Sequence, residues 1–307
     1  MAPRLSILIY HRVLPAADPL QPDISTAAGF EARMRWLRRV FRILPLSDAL
    51  TRLRSGNLPG RAMAITFDDG YADNAEVALP VLRRLGIPAT FFIATGFLNG
   101  GRMWNDTVIE TVRGAGGVEL ATPGLDLGPL RCRTQDEQRH AIRELLGTLK
   151  YYTPERRLAL ANGLAEACGV ALPPLMMRES QVRELREAGM AIGAHTVQHP
   201  ILASIGDAAA QQEIAQSKVH LEEILGERVP LFAYPNGKPE QDYTARDAAI
   251  VRDLGFDGAV STAWGTALPS SDPFQLPRFT PWDRGMSRFV ARLAHRRWLD
   301  AEASTAR

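Results

Sequence analysis

Apolar residues fall along this chain in two rhythms. Short, nearly unbroken apolar runs recur at Leu5–Tyr10, Ala64–Phe67, Ala89–Ala94, Met190–Ile192, Leu231–Ala233, Phe256–Ser261 and Leu276–Phe279. Each is the length of a strand, and its continuity suits a strand buried on both faces, as in a parallel sheet. Between them the apolar positions move to a spacing of three and four. Phe30, Met34, Leu37 and Val40 mark one such helix over 28–40, and others are predicted over 47–54, 73–85, 181–188, 207–225 and 244–254. Gly86, Gly189 and Gly226 stand where those helices should stop. Strand, helix and strand in turn make right-handed βαβ units. Repeated along the chain they predict a barrel-like parallel sheet with its site at the C-terminal strand ends.

The middle of the chain breaks the alternation. Residues 103–174 read as a helical insertion in a single domain spanning 1–307, with Trp104 opening one helix. Thr134 and Glu137 form a capping-box pattern before a second, and Thr153-Pro154 starts a third. From Gly285 the chain reads as a basic amphipathic helix and tail, 285–307, with Phe289, Val290, Leu293 and Trp298 among Arg288, Arg292, Arg296 and Arg297. Packing on the barrel is the favoured reading of that helix, ahead of a membrane-surface contact.

Bulk properties narrow the class. There are 36 basic and 34 acidic residues, a formal charge of +2, which gives no global case for a nucleic-acid partner. The two cysteines, Cys132 and Cys168, make no disulfide framework and fit a reducing compartment. The first apolar run is too short for a signal-peptide core, so a cytoplasmic location is expected.

Chemistry is concentrated at two places. Ala64-Ile65-Thr66-Phe67 ends on Asp68-Asp69-Gly70-Tyr71. Two adjacent carboxylates repel in a dry site, and a metal on one of them relieves this and leaves the other as a base. An Asp-Gly turn with solvated carboxylates is the plainer alternative. The second place is His195-Thr196-Val197-Gln198-His199-Pro200, just after a strand. Imidazoles four apart face one side in a helix or tight turn and suit a single ion, although a lone core histidine is commoner than a ligand.

Together these segments, with Ala89-Thr90-Phe91-Phe92-Ile93 between them, resemble the polysaccharide deacetylase (NodB-homology) family of carbohydrate esterases. The resemblance implies a distorted (β/α)7 barrel and hydrolysis of N-acetyl groups on an amino-sugar glycan. It implies that Asp69, His195 and His199 hold a divalent metal, usually Zn2+, with Asp68 as general base. Tyr10-His11-Arg12-Val13 resembles the subgroup that includes the poly-N-acetylglucosamine deacetylases, which makes His11 the candidate general acid. The family's late Leu-x-x-His segment is absent here. Phe232-Ala233-Tyr234-Pro235-Asn236-Gly237 resembles the segment that walls the family's pocket, so Tyr234 and Pro235 join Tyr71, Trp104 and Trp282 as expected substrate contacts. No arginine directly precedes Phe232, and Arg278 is the candidate to orient Asp68 in its place. Two other readings remain open, an amidase of the same fold acting on a small non-sugar substrate and a glycan-binding protein without turnover.

Overall fold

A computed structural model describes residues 3–281, 285–298 and 305–306. The chain divides into two compact units, one of residues 1–16, 23–99 and 176–307 and one of residues 17–22 and 100–175.

The first unit is built on seven parallel strands. They are β1 (Leu5–Tyr10), β2 (Ala62–Phe67), β3 (Thr90–Ile93), β4 (Ala191–Ala194), β5 (Leu231–Ala233), β6 (Gly258–Trp264) and β7 (Leu276–Arg278). They hydrogen-bond in that order. The ring nearly closes where β1 meets the end of β7. There Ile9 donates to the Phe279 carbonyl at 3.1 Å, and Phe279 donates to that of Ile7 at 2.8 Å. The outcome is the (β/α)7 barrel that the resemblance implied.

Why the strands read as continuous apolar runs is visible in their packing. Along β2, Ala62 and Ala64 belong to an inner cluster with Leu5, Ile7, Phe92, Leu231, Ala233 and Leu276. Met63, Ile65 and Phe67 belong to an outer cluster under the helices. Successive side chains alternate between two cores, so neither parity can be polar until the strand ends. The inner parity of β2 continues through Thr66 to Asp68, and that of β7 runs from Leu276 to Arg278. Both charged groups are therefore aimed into the barrel at its C-terminal end.

The surrounding helices are α1 (Ala27–Val40), α2 (Leu46–Arg54), α3 (Leu79–Leu85), α7 (Glu179–Glu187), α8 (Asp207–Leu225) and α9 (Ala245–Asp253), with α10 (Met286–Trp298) last. α2 supplies Leu46, Ala49, Leu50 and Leu53 to the inner cluster. Gly86 and Gly226 end α3 and α8 in the left-handed conformation, φ 61° and 66°, where a Cβ is penalised. Two starts differ from expectation. Residues Asn74–Ala78 form a π-helical segment before α3, and Asp73 makes no cap bond to it. Asp73 instead accepts from the Val13 amide at 3.0 Å and from Arg12 Nε at 2.8 Å. Pro45, not a residue beyond it, stands at the α2 start, so Ser47 lies inside the helix.

The second unit holds α4 (Trp104–Gly114), α5 (Gln135–Leu149) and α6 (Pro154–Ala167), with a two-stranded antiparallel piece pairing Glu119–Leu120 with Leu130–Arg131. Its own core includes Val108, Val112, Leu145, Leu149 and Leu164. The capping box of α5 is formed in full by Thr134 and Glu137. Both cysteines lie in this unit and are free thiols. Among the described residues no helix is long and apolar enough to cross a membrane.

Candidate active site

β2 delivers Asp68 and Asp69 to the C-terminal end of the barrel, and the chain turns there at once. Asp69 has φ 78° and Gly70 φ 89°. This turn separates the two carboxylates, which then meet different partners.

Asp68 is gripped by Arg278. Nη1 donates to Oδ1 and Nη2 to Oδ2, each at 2.7 Å, and Arg278 is fully buried. The fork is held from behind, because Nε donates to the Ser261 carbonyl at 2.8 Å and Nη1 also reaches Thr66 Oγ1 at 3.2 Å. Burial pushes the Asp68 carboxyl up, but the charges of Arg278 and His195 outweigh it and hold it below the usual carboxylate range. The group therefore stays ionised and oriented.

Asp69 faces the two imidazoles. Its Oδ1 lies 3.4 Å from Nε2 of His195 and 3.4 Å from Nε2 of His199. β4 carries His195 to this point, and the ring is fixed by its Nδ1, 2.7 Å from the Ala233 carbonyl. A carbonyl only accepts, so Nδ1 bears the proton and Nε2 offers its lone pair toward Asp69. His199 arrives through a tight turn, with Thr196 at φ 63° and His199 at φ 53°. Burial raises the Asp69 carboxyl, yet the close approach of His195 and the charges of His11 and His199 hold it well below the ordinary value. His195 is pushed down by burial and lifted more strongly by Asp68 and Asp69, ending above its ordinary value. Burial dominates at His199 and lowers it to about 4.

Do these residues suit a metal? Asp69 Oδ1 is buried and makes no hydrogen bond of its own. An orphaned buried carboxylate oxygen is expensive unless something cationic meets it. The ligand atoms of Asp69, His195 and His199 all lie within 4.8 Å of one another. Two imidazole nitrogens and one carboxylate oxygen, with positions left over, form the donor set of a catalytic divalent-metal site. The residues fit the group.

The model of the family described as polysaccharide deacetylase matches residues 55–259. The chain belongs to the polysaccharide deacetylase family. YxkH of Bacillus subtilis (strain 168), whose name places it with the polysaccharide deacetylases, is 22% identical over 90% of this chain and 70% of its own length. The poly-β-1,6-N-acetyl-D-glucosamine N-deacetylase of Staphylococcus aureus (strain MSSA476) is 26% identical over 53% of this chain and 58% of its own length. The chain thus spans somewhat over half of that staphylococcal relative. Among solved structures, the Streptococcus pyogenes deacetylase PplD in complex with acetate superposes with a TM-score of 0.64 at 18% identity, covering 95% of this chain and 98% of that one. IcaB from Ammonifex degensii gives 0.63 at 21%, covering 95% and 96%. At these identities the likeness speaks for the fold, which is that of other polysaccharide deacetylases.

The other expected site residues scatter. His11 follows β1 directly and is exposed. Its carbonyl accepts from Asn74 Nδ2 at 2.8 Å, and its charge bears on Asp68, Asp69 and His199. Tyr71 is buried under the Arg12 guanidinium, 4.6 Å from its ring centre. Tyr234 is not a pocket wall: it is fully buried, stacked on Tyr243 at 3.9 Å, and donates to the Phe274 carbonyl at 2.8 Å. Strand parity explains this, since Phe232 and Tyr234 share the outer face of β5. Pro235 beside it is buried as well. Trp104 serves the second unit's own packing, with Arg157 over its ring at 4.7 Å. Trp282 lies outside the described residues. Sequence reading assigned no role to Thr66 or Ser261, which steady Arg278.

Proposed function

We propose that this chain is a metal-dependent hydrolase that removes N-acetyl groups from an amino-sugar oligo- or polysaccharide, releasing acetate and the free amine. The observation that carries the reading is the division of labour between adjacent carboxylates. Asp69 faces two imidazoles 3.4 Å away, whereas Asp68 is turned to Arg278 and kept ionised.

Asp69, His195 and His199 are the residues that would hold the ion. A divalent cation there supplies Lewis-acid polarisation of the acetyl carbonyl and acidifies water toward a pKa of about 7. Asp68 accepts the proton of the attacking water, and the two-point grip of Arg278 keeps one carboxylate edge fixed throughout. His11, exposed at the rim, delivers a proton to the departing amine nitrogen. The buried, water-poor floor formed by Asp68, His195 and Arg278 strengthens each of these electrostatic contacts. The staphylococcal relative's named substrate, poly-β-1,6-N-acetyl-D-glucosamine, supports a glycan of that chemical class.

The test is acetate release from N-acetylglucosamine oligomers by protein stripped with a chelator and then resupplied with zinc. Activity should vanish on stripping and return with metal, and Asp69→Ala should lose metal and activity together. Full acetate release by metal-free protein would refute the proposal.

A further inference from the structure

The turn between the two imidazoles is one the chain would not adopt unaided. Thr196 is β-branched yet sits at φ 63°, and His199 sits at φ 53°. Both lie in the left-handed region that disfavours side chains with a Cβ, and Thr most of all. Something must hold the turn, because His199 reaches Asp69 only from this conformation.

Three fastenings are visible. The Thr95 and Gly96 amides donate to the Thr196 and Val197 carbonyls at 3.1 and 2.9 Å. This contact is so close that a Cβ on Gly96 would stand 2.7 Å from the Val197 oxygen. Within the turn, the His199 amide donates to Thr196 Oγ1 at 3.1 Å. The third fastening comes from elsewhere in the chain. Glu213 Oε2 accepts the Val197 amide at 2.9 Å and the Gln198 amide at 2.8 Å. One side-chain oxygen accepting from two successive amides fastens the turn at two points. Glu213 projects from α8, whose Ala210 and Ile214 are fully buried, so the carboxylate is presented by a rigid element.

We infer that Glu213 is a positioning residue for the metal site. It holds the 196–199 turn in the shape that brings His199 Nε2 to Asp69, and so sets how tightly the ion is held. This rests on the reading that Asp69, His195 and His199 bind a metal. The effect falls on His199 in particular. His195 is fixed independently, by β4 and by its bond to the Ala233 carbonyl, whereas His199 depends on the turn.

The experiment measures zinc affinity of stripped protein against a competing chromophoric chelator, with urea unfolding of the same metal-free samples alongside. Glu213→Ala should weaken zinc binding by about 10- to 100-fold, the usual effect of losing an outer support of a ligand. Glu213→Gln should stay within a few-fold of wild type, because its amide oxygen still accepts both N–H groups. Glu213→Asp keeps the charge but is one methylene short, and should weaken binding even if the alanine variant fails to fold. Glu213→Ala added to His199→Ala should cost nothing beyond His199→Ala alone. A wild-type protein that does not bind zinc overturns the metal reading itself. Tight wild-type binding, with Glu213→Ala and Glu213→Asp unchanged in affinity and merely less stable to urea, overturns the role given to Glu213.

Discussion

Replacing Arg278 with Met tests the electrostatics of the barrel floor. Arg278 is fully buried and gives Asp68 two charge-assisted bonds of 2.7 Å, while the Asp68 side chain is only 3% exposed. Methionine fills much of the same space but leaves the carboxylate without its guanidinium partner in a dry site. Breaking one side of a buried pair in this way costs about 3–5 kcal/mol. The pH dependence follows from the direction of the shift. The folded-state pKa of Asp68 lies below its unfolded value of about 3.9, so the pair contributes stability above that pH, and the contribution fades as pH falls through the folded pKa. In Arg278→Met, burial loses its main opponent and the carboxyl pKa rises. The deficit relative to wild type should then be greatest near pH 7 and shrink as protonation removes the stranded charge. Urea unfolding of metal-free wild type and variant at pH 7 and pH 4.5 reads this directly. A loss below about 1 kcal/mol at pH 7, or one that does not shrink at pH 4.5, would refute the reasoning. Acetate release should fall at pH 7 and recover in part at higher pH, as Asp68 regains its charge.

Other substitutions probe separate links. His11→Ala should lower the rate by about 100-fold or more while zinc content stays normal, since general-acid help is worth about that much; an unchanged rate would remove His11 from the mechanism. Gly193 lies on the inner face of β4, where a Cβ would stand 2.4 Å from the Phe92 ring and 3.0 Å from the Leu231 carbonyl. Gly193→Ala should therefore destabilise by about 1–3 kcal/mol in urea titrations. In the second unit, Asp18 accepts from Arg113 Nη2 at 2.6 Å and from the Leu20 amide at 2.9 Å. Burial raises its carboxyl, but these bonds outweigh it and lower it overall. Asp18→Asn should thus cost about 1 kcal/mol at pH 7, after allowing for solvent screening, and progressively less as the pH falls below about 3.9, in paired unfolding curves.

Much of the architecture could be read from local rules. Strands buried on both faces announce themselves as unbroken apolar runs, and Gly86 and Gly226 mark helix ends because only glycine takes their left-handed φ cheaply. What failed was mostly long-range. Asp73 stands at the start of the helix predicted over 73–85, yet its best partners, Arg12 and Val13, lie some 60 residues upstream. Tyr234 was expected in the pocket because neighbouring residues carry the family's segment, but strand parity sends it outward to Tyr243. That error was avoidable, since parity is a sequence property. Glu213 was not discoverable in the same way. It is one polar residue among several on α8, and nothing in its local spacing marks the turn it holds.

The barrel's ring is not equally tight all round. β3 and β4 pair at four successive positions and β2 and β3 at two, whereas β1 meets the end of β7 through the Ile9, Phe279 and Ile7 backbone bonds. Arg278 rides on that weaker join; Asp69, His195 and His199 ride on the stronger arc. A transient parting of the seam would separate Asp68 from Arg278 while Asp69, His195 and His199 kept their formation. Under the proposed function, the first failure under mild stress would then be silent to any metal assay, a loss of aim before a loss of cargo.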